Sequence, residues 1–217
     1  MAIAKKLSVI ITFCVLVVTP FSVGAIPLQT VAYQGASVQY EFNGNHRSGI
    51  AAEFQLTLGN GSDEFGTNGY CVELEETISI PKLYDVELKS VSFRPNGMDA
   101  AWLMNEYAFG LENLDAKAAL QLAIWDTIYE DAFTVLSATS NSIEKLYADY
   151  INGLATAKSI GPYNTDFADN FSVSHQNGIQ DLLIYTPAAV PEPSTIFLMG
   201  FGLIAFGFIR KNWNKRK

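Results

Sequence analysis

Cys71 and Gln121 are the pair of side chains in this sequence whose types could do chemistry together. A thiol and a carboxamide held side by side out of water can condense to a thioester with loss of ammonia. The acyl carbon then awaits an amine or a hydroxyl. Cysteine usage points to the pair first. Of the two cysteines, Cys14 lies in an N-terminal apolar run that reads as a secretion signal, which leaves Cys71 without a disulfide partner in an exported protein. Cys71 sits in Gly69-Tyr70-Cys71-Val72-Glu73, and Gln121 in Leu120-Gln121-Leu122-Ala123-Ile124-Trp125. The chemistry sets three conditions: near-attack geometry on rigid elements, backbone N–H donors for the developing oxyanion, and exclusion of water. Tyr70, Trp102 and Trp125 are the natural shields. No cofactor and no metal is needed. From spacing alone the alternative stays open that Cys71 is a small buried hydrophobe and Gln121 a satisfied core amide.

The elements that must position the pair are legible as alternation and helical period. Strands are expected at Val31–Gln34, Ser37–Phe42, Glu53–Leu58, Tyr70–Leu74, Glu76–Ile80, Val86–Phe93, Phe171–Ser174 and Ile179–Tyr185, separated by Gly/Asn-rich turns. Helices are expected at Met98–Phe109, Asp115–Tyr129 and Ile143–Lys158, with Gly153 a weak point in the last. In the second helix Ala118, Leu122, Trp125 and Tyr129 form one apolar stripe, with Gln121 at its edge. Strands, then helices, then strands imply an α+β body: an antiparallel β-barrel or sandwich carrying a helical insertion, with a signal peptide before it and a hydrophobic helix after it.

Four segments follow. Residues 1–25 read as a signal peptide: Lys5 and Lys6, an apolar run from Leu7 to Val18, and small residues ending at Ala25. A lipoprotein reading of Cys14 is disfavoured by bulky Phe13 before it. Residues 26–185 form the body. Residues 186–195 are a proline-rich linker containing Pro191, Glu192 and Pro193. Residues 196–217 are an apolar stretch, Ile196 to Ile209, and a basic end with five Lys/Arg. That stretch is short for a bilayer span, and the basic end keeps to the cytoplasm, so the body faces outward.

Charge excludes one class of function. Residues 26–189 carry 7 Lys/Arg against 21 Asp/Glu, a net charge of −14, more acidic than the −8 of the whole chain. Such a body repels nucleic acid. Calcium capture is conceivable on charge, but Asp63, Glu64 and the Glu73, Glu75, Glu76 cluster lack the spacing of a calcium loop. A cysteine hydrolase would use His46 or His175 with Cys71, yet both histidines sit in turn-like sequence and no hydrolase signature surrounds the cysteine. A glycosidase would need two facing carboxylates, which an acidic chain offers by accident. Asn60-Gly61-Ser62 and Asn170-Phe171-Ser172 are formal glycosylation sequons.

Two resemblances add to this reading. The tail, with Pro191-Glu192-Pro193, an apolar run and an Arg/Lys-rich end, resembles the PEP-CTERM sorting signal. That resemblance implies a Gram-negative, exopolysaccharide-making cell, transient residence in the inner membrane through residues 196–209, and an exosortase-type enzyme that removes the tail. The body resembles the bacterial thioester domain family of surface adhesins. The family pairs an aromatic-Cys motif on a strand, here Tyr70-Cys71, with a hydrophobic-Gln-x-x-hydrophobic-Trp motif on a helix, here Leu120 to Trp125. Ala100-Ala101-Trp102-Leu103 is similar to the helix between them. Many members have Thr before the Gln, where this chain has Leu120. The resemblance implies a Cys71–Gln121 thioester that reacts once with a surface or matrix nucleophile, so the protein is expected to bind covalently rather than to turn over. The expected destination is the cell surface or extracellular matrix. The alternative is a non-covalent structural or carbohydrate-binding matrix protein.

Overall fold

The structure is a computed structural model and describes residues 24–161 and 164–187. The expected signal peptide, the PEP motif and the hydrophobic helix lie outside these residues. Among the described residues, seven strands and three α-helices occur in the order β1 (Ile26–Phe42), β2 (Asn45–Leu58), β3 (Phe65–Cys71), β4 (Lys82–Lys89), α1 (Gly97–Tyr107), α2 (Leu114–Tyr129), β5 (Phe133–Ala138), α3 (Asn141–Ile160), β6 (Phe171–Gln176) and β7 (Ile179–Tyr185).

All strand pairings are antiparallel. The sheet order is β2-β3-β7-β6-β4-β1-β5, and β1 also pairs with β2. That last pairing closes a ring of six strands, so the α+β expectation resolves toward a barrel rather than a sandwich. The long β1 makes closure possible. Its first residues pair with β4, its last with β5, and residues Leu28 to Phe42, with one irregularity between Thr30 and Ala32, with β2. The helices are inserted between β4 and β6, with β5 between α2 and α3.

Several elements differ from the sequence reading. The two strands expected at 31–34 and 37–42 are one, because Gly35 and Ala36 stay in register opposite Ala52 and Ala51. Tyr70–Leu74 stops as a strand at Cys71. Glu76–Ile80 is not a strand. Its backbone is tied instead to side chains: Ser79 N–H donates to Tyr84 Oη (2.8 Å), and Thr30 Oγ1 donates to Ser79 C=O (2.9 Å). The strand expected at Val86–Phe93 runs from Lys82 to Lys89, and Val91–Phe93 is a 3-10 turn. β5 was not expected; its short alternation becomes a strand only by pairing with residues 38–42 of β1.

α2 is the central helix. Asn113 caps it, its side chain accepting from Asp115 N–H (2.8 Å). It is buried almost all round rather than along one stripe, so Gln121 lies inside rather than at an edge. α1 and α3 pack beside it. Gly153 serves that packing: a Cβ there would lie 2.1 Å from Tyr107 Oη, so the residue expected as a weak point is a site of close approach between α3 and α1.

Candidate functional site

The structure brings Cys71 and Gln121 together. Cys71 is the last residue of β3, and Gln121 lies mid-way along α2 and is fully buried. The Gln121 carboxamide is bonded twice to the backbone of Cys71. Cys71 N–H donates to Oε1 at 2.8 Å, and Nε2 donates to Cys71 C=O at 2.8 Å. The local sheet explains why these backbone groups are free. β2 pairs with β3 only as far as Glu53 opposite Tyr70, so beyond that point the strand edge has lost its partner. A buried backbone pair must find partners, and the glutamine amide supplies both.

The segment following Cys71 is pinned residue by residue. Val72 N–H donates to Asp181 C=O (3.0 Å), Leu74 N–H to Tyr129 Oη (2.9 Å), and Arg47 Nη1 to Leu74 C=O (2.9 Å). Glu73 accepts from Arg94 Nη2 (2.8 Å), which also bonds buried Asp181 (2.7 Å); Asp181 in turn meets His175 Nδ1 (2.9 Å). Both sides of the pair therefore rest on rigid elements.

Strand alternation sends Tyr70 and Cys71 to opposite faces. Tyr70 is buried and hydrogen-bonded through its hydroxyl to Glu53 Oε2 (3.2 Å). Cys71 lines an open cavity of about 300 Å³ together with Trp125, Tyr40, Tyr33, Phe54 and Gln180. Trp125 packs against Tyr40 and Phe133 at centroid distances of 5.6 and 5.9 Å, and its indole Nε1 has no hydrogen-bond partner. Trp102 is elsewhere. It stands on α1, half-buried, edge-on to Tyr107 at 6.0 Å, and does not line this cavity. Tyr40, which sequence reasoning missed, occupies the position beside the cysteine.

Burial pushes the Cys71 thiol well above its ordinary pKa, and Glu73 adds to the rise. Burial likewise raises Tyr40, with Arg47 opposing and Cys71 adding a smaller increment. The sulfur is thus held neutral. Neither histidine belongs to the site: His46 is exposed beside Glu41, His175 belongs to the Asp181 cluster, and neither lines the cavity. Among the described residues no group of three or more His, Cys, Asp or Glu is arranged to hold a metal ion.

Sequence reasoning also missed a buried ion pair next to the site. Lys117 Nζ lies 2.7 Å from Glu53 Oε1 and donates to Gln34 Oε1 at 2.6 Å. The one available signal was a lysine inside the apolar run Ala116-Lys117-Ala118-Ala119-Leu120, four residues before Gln121.

Comparison with known proteins informs the tail alone. The PEP-CTERM protein-sorting motif matches residues 189–211, which include Pro191, Glu192 and Pro193. The chain is therefore an exported protein with a sorting signal that an exosortase recognises. It transits the membrane and is sorted to the cell surface in a Gram-negative bacterium. No curated protein and no solved structure matches the chain significantly. No helix among the described residues is long and apolar enough to cross a membrane.

Proposed function

We propose that this surface-sorted protein attaches itself covalently, through a Cys71–Gln121 thioester, to an amine or hydroxyl of the extracellular matrix or of another cell surface. The observation that carries the reading is the double hydrogen bond between the Gln121 carboxamide and the backbone of the residue whose sulfur would attack it. In the forming step Cys71 Sγ bonds to Gln121 Cδ and the Cδ–Nε2 bond breaks. The thiol proton leaves with the nitrogen as ammonia. Cys71 N–H, already on Oε1, is the donor for the developing oxyanion. Burial keeps the thiol neutral, so the step depends on the sulfur being held at near-attack distance from the acyl carbon.

In the second step a nucleophile enters by the cavity that Cys71 and Trp125 line. It bonds to Cδ, and the sulfur leaves and regains a proton. Each molecule reacts once, so the protein is a covalent binder rather than an enzyme. Removal of the tail by an exosortase releases the body to the surface or to the exopolysaccharide matrix.

One observation favours a second reading, a non-covalent structural or carbohydrate-binding matrix protein. The same two bonds leave the Gln121 amide satisfied, as a core amide would be. Intact mass separates the two. A secreted body one ammonia lighter than its sequence, gaining one methylamine on treatment, supports the thioester; full sequence mass with a titratable thiol supports the second reading.

A further inference from the structure

Gln34, Glu53 and Tyr70 are successive cross-strand neighbours on β1, β2 and β3. Lys117 of α2 reaches into this row: its Nζ contacts Glu53 at 2.7 Å and Gln34 at 2.6 Å, and Glu53 also accepts from Tyr70 Oη at 3.2 Å. The Lys117 and Glu53 side chains are 7% and 2% exposed. Buried ion pairs are poor stabilisers as a class, since apolar replacements of similar volume are often neutral or better. Their better-attested use is to fix one geometry among several.

α2 needs such a device. Its surroundings are apolar on almost every side, and hydrophobic burial is non-directional, so apolar packing does little to set the rotation of the helix about its axis. Moving the register by one residue would turn the helix by about 100° and take Gln121 off Cys71. The polar contacts made by Lys117 and Gln121, four residues apart, lie on one face of the helix, and the one made by Tyr129 lies about 120° round from Lys117. Both ends of the ion-pair row adjoin the reacting residues: Tyr70 immediately precedes Cys71, and Lys117 stands one helical turn before Gln121.

We infer that Glu53 and Lys117 are positioning residues for thioester formation: their ion pair, extended by Tyr70 and Gln34, locks α2 over β3 with the Gln121 carboxamide against the backbone of Cys71. The inference rests on the thioester reading above and adds the part that assembles it.

The test is the share of secreted protein that is one ammonia lighter, measured beside the melting temperature. Glu53→Gln combined with Lys117→Met leaves no lone buried charge, so the double variant folds, and its melting temperature stays near that of wild type opened with methylamine. Its lighter share falls at least about ten-fold, the scale on which small misplacements act. Lys117→Arg keeps the pair and restores the lighter share, and Tyr70→Phe, which removes a single hydroxyl, lowers it by a smaller factor. A folded double variant with the wild-type share overturns the inference. If that variant does not fold, a wild-type share in Tyr70→Phe overturns it equally. A wild-type protein with no lighter species fails the thioester reading itself, which is a different result from either.

Discussion

Opening the thioester should cost the body stability that no single non-covalent contact at the site could supply. The proposed bond joins residues 50 apart in sequence. Closing a loop of that length removes about 4 kcal/mol of conformational entropy from the unfolded chain, if the cross-link acts as a disulfide does. Methylamine is a clean perturbation. It leaves Gln121 as an N-methyl amide whose oxygen still accepts from Cys71 N–H; the bond from Nε2 to Cys71 C=O is already absent in the thioester, whose nitrogen has left as ammonia, so opening removes the cross-link without costing a further hydrogen bond. For a domain of this size each kcal/mol moves the melting temperature by about 2–4 °C, so opening should lower it by about 8–16 °C. Cys71→Ala should melt near opened wild type, lower by about 1 kcal/mol for the lost buried thiol, and should ignore methylamine. Gln121→Ala should fall below Cys71→Ala, because it orphans two buried backbone groups at about 1–3 kcal/mol each. Scanning calorimetry of the secreted body, with and without methylamine, reads all of these. Wild type and Cys71→Ala melting together, with methylamine moving neither, would refute the reasoning.

Two other outcomes are expected. Gly153→Ala places a methyl 2.1 Å from Tyr107 Oη and should destabilise by about 1–3 kcal/mol, with most of the loss recovered when Tyr107→Phe removes the hydroxyl; thermal melts of the two variants check this. Replacing His46 by Ala and His175 by Gln should leave the lighter mass species at the wild-type share, since neither histidine lines the cavity; its loss in that double variant would mean that a histidine assists bond formation.

The sequence carried the site better than its supports. A motif reading could single out Cys71 and Gln121, because an unpaired cysteine in an exported chain and a glutamine in an apolar helix both demand explanation. It could not foresee that the glutamine would complete the edge that β2 abandons at Glu53, because that depends on where two distant strands part. Lys117 and Glu53 were invisible for the same reason: 64 residues separate them, and local reading gives each to solvent. Trp102 was named as a shield on the helix between the two motifs, but helix phase turns it toward Tyr107. β1 read as two strands because Gly35 and Ala36 interrupt the local signal, whereas the tight approach of Ala51 and Ala52 across the ladder requires small residues there. The sorting motif, by contrast, is a linear signal, legible from Pro191-Glu192-Pro193 within the matched residues 189–211.

The most direct measurement is the intact mass of the secreted body before and after exposure to methylamine. A mass one ammonia below the sequence, rising by one methylamine with the adduct mapped to Gln121 and the Cys71 thiol newly titratable, is the predicted result. Full sequence mass, unchanged by the amine and with a thiol that titrates from the start, would contradict it.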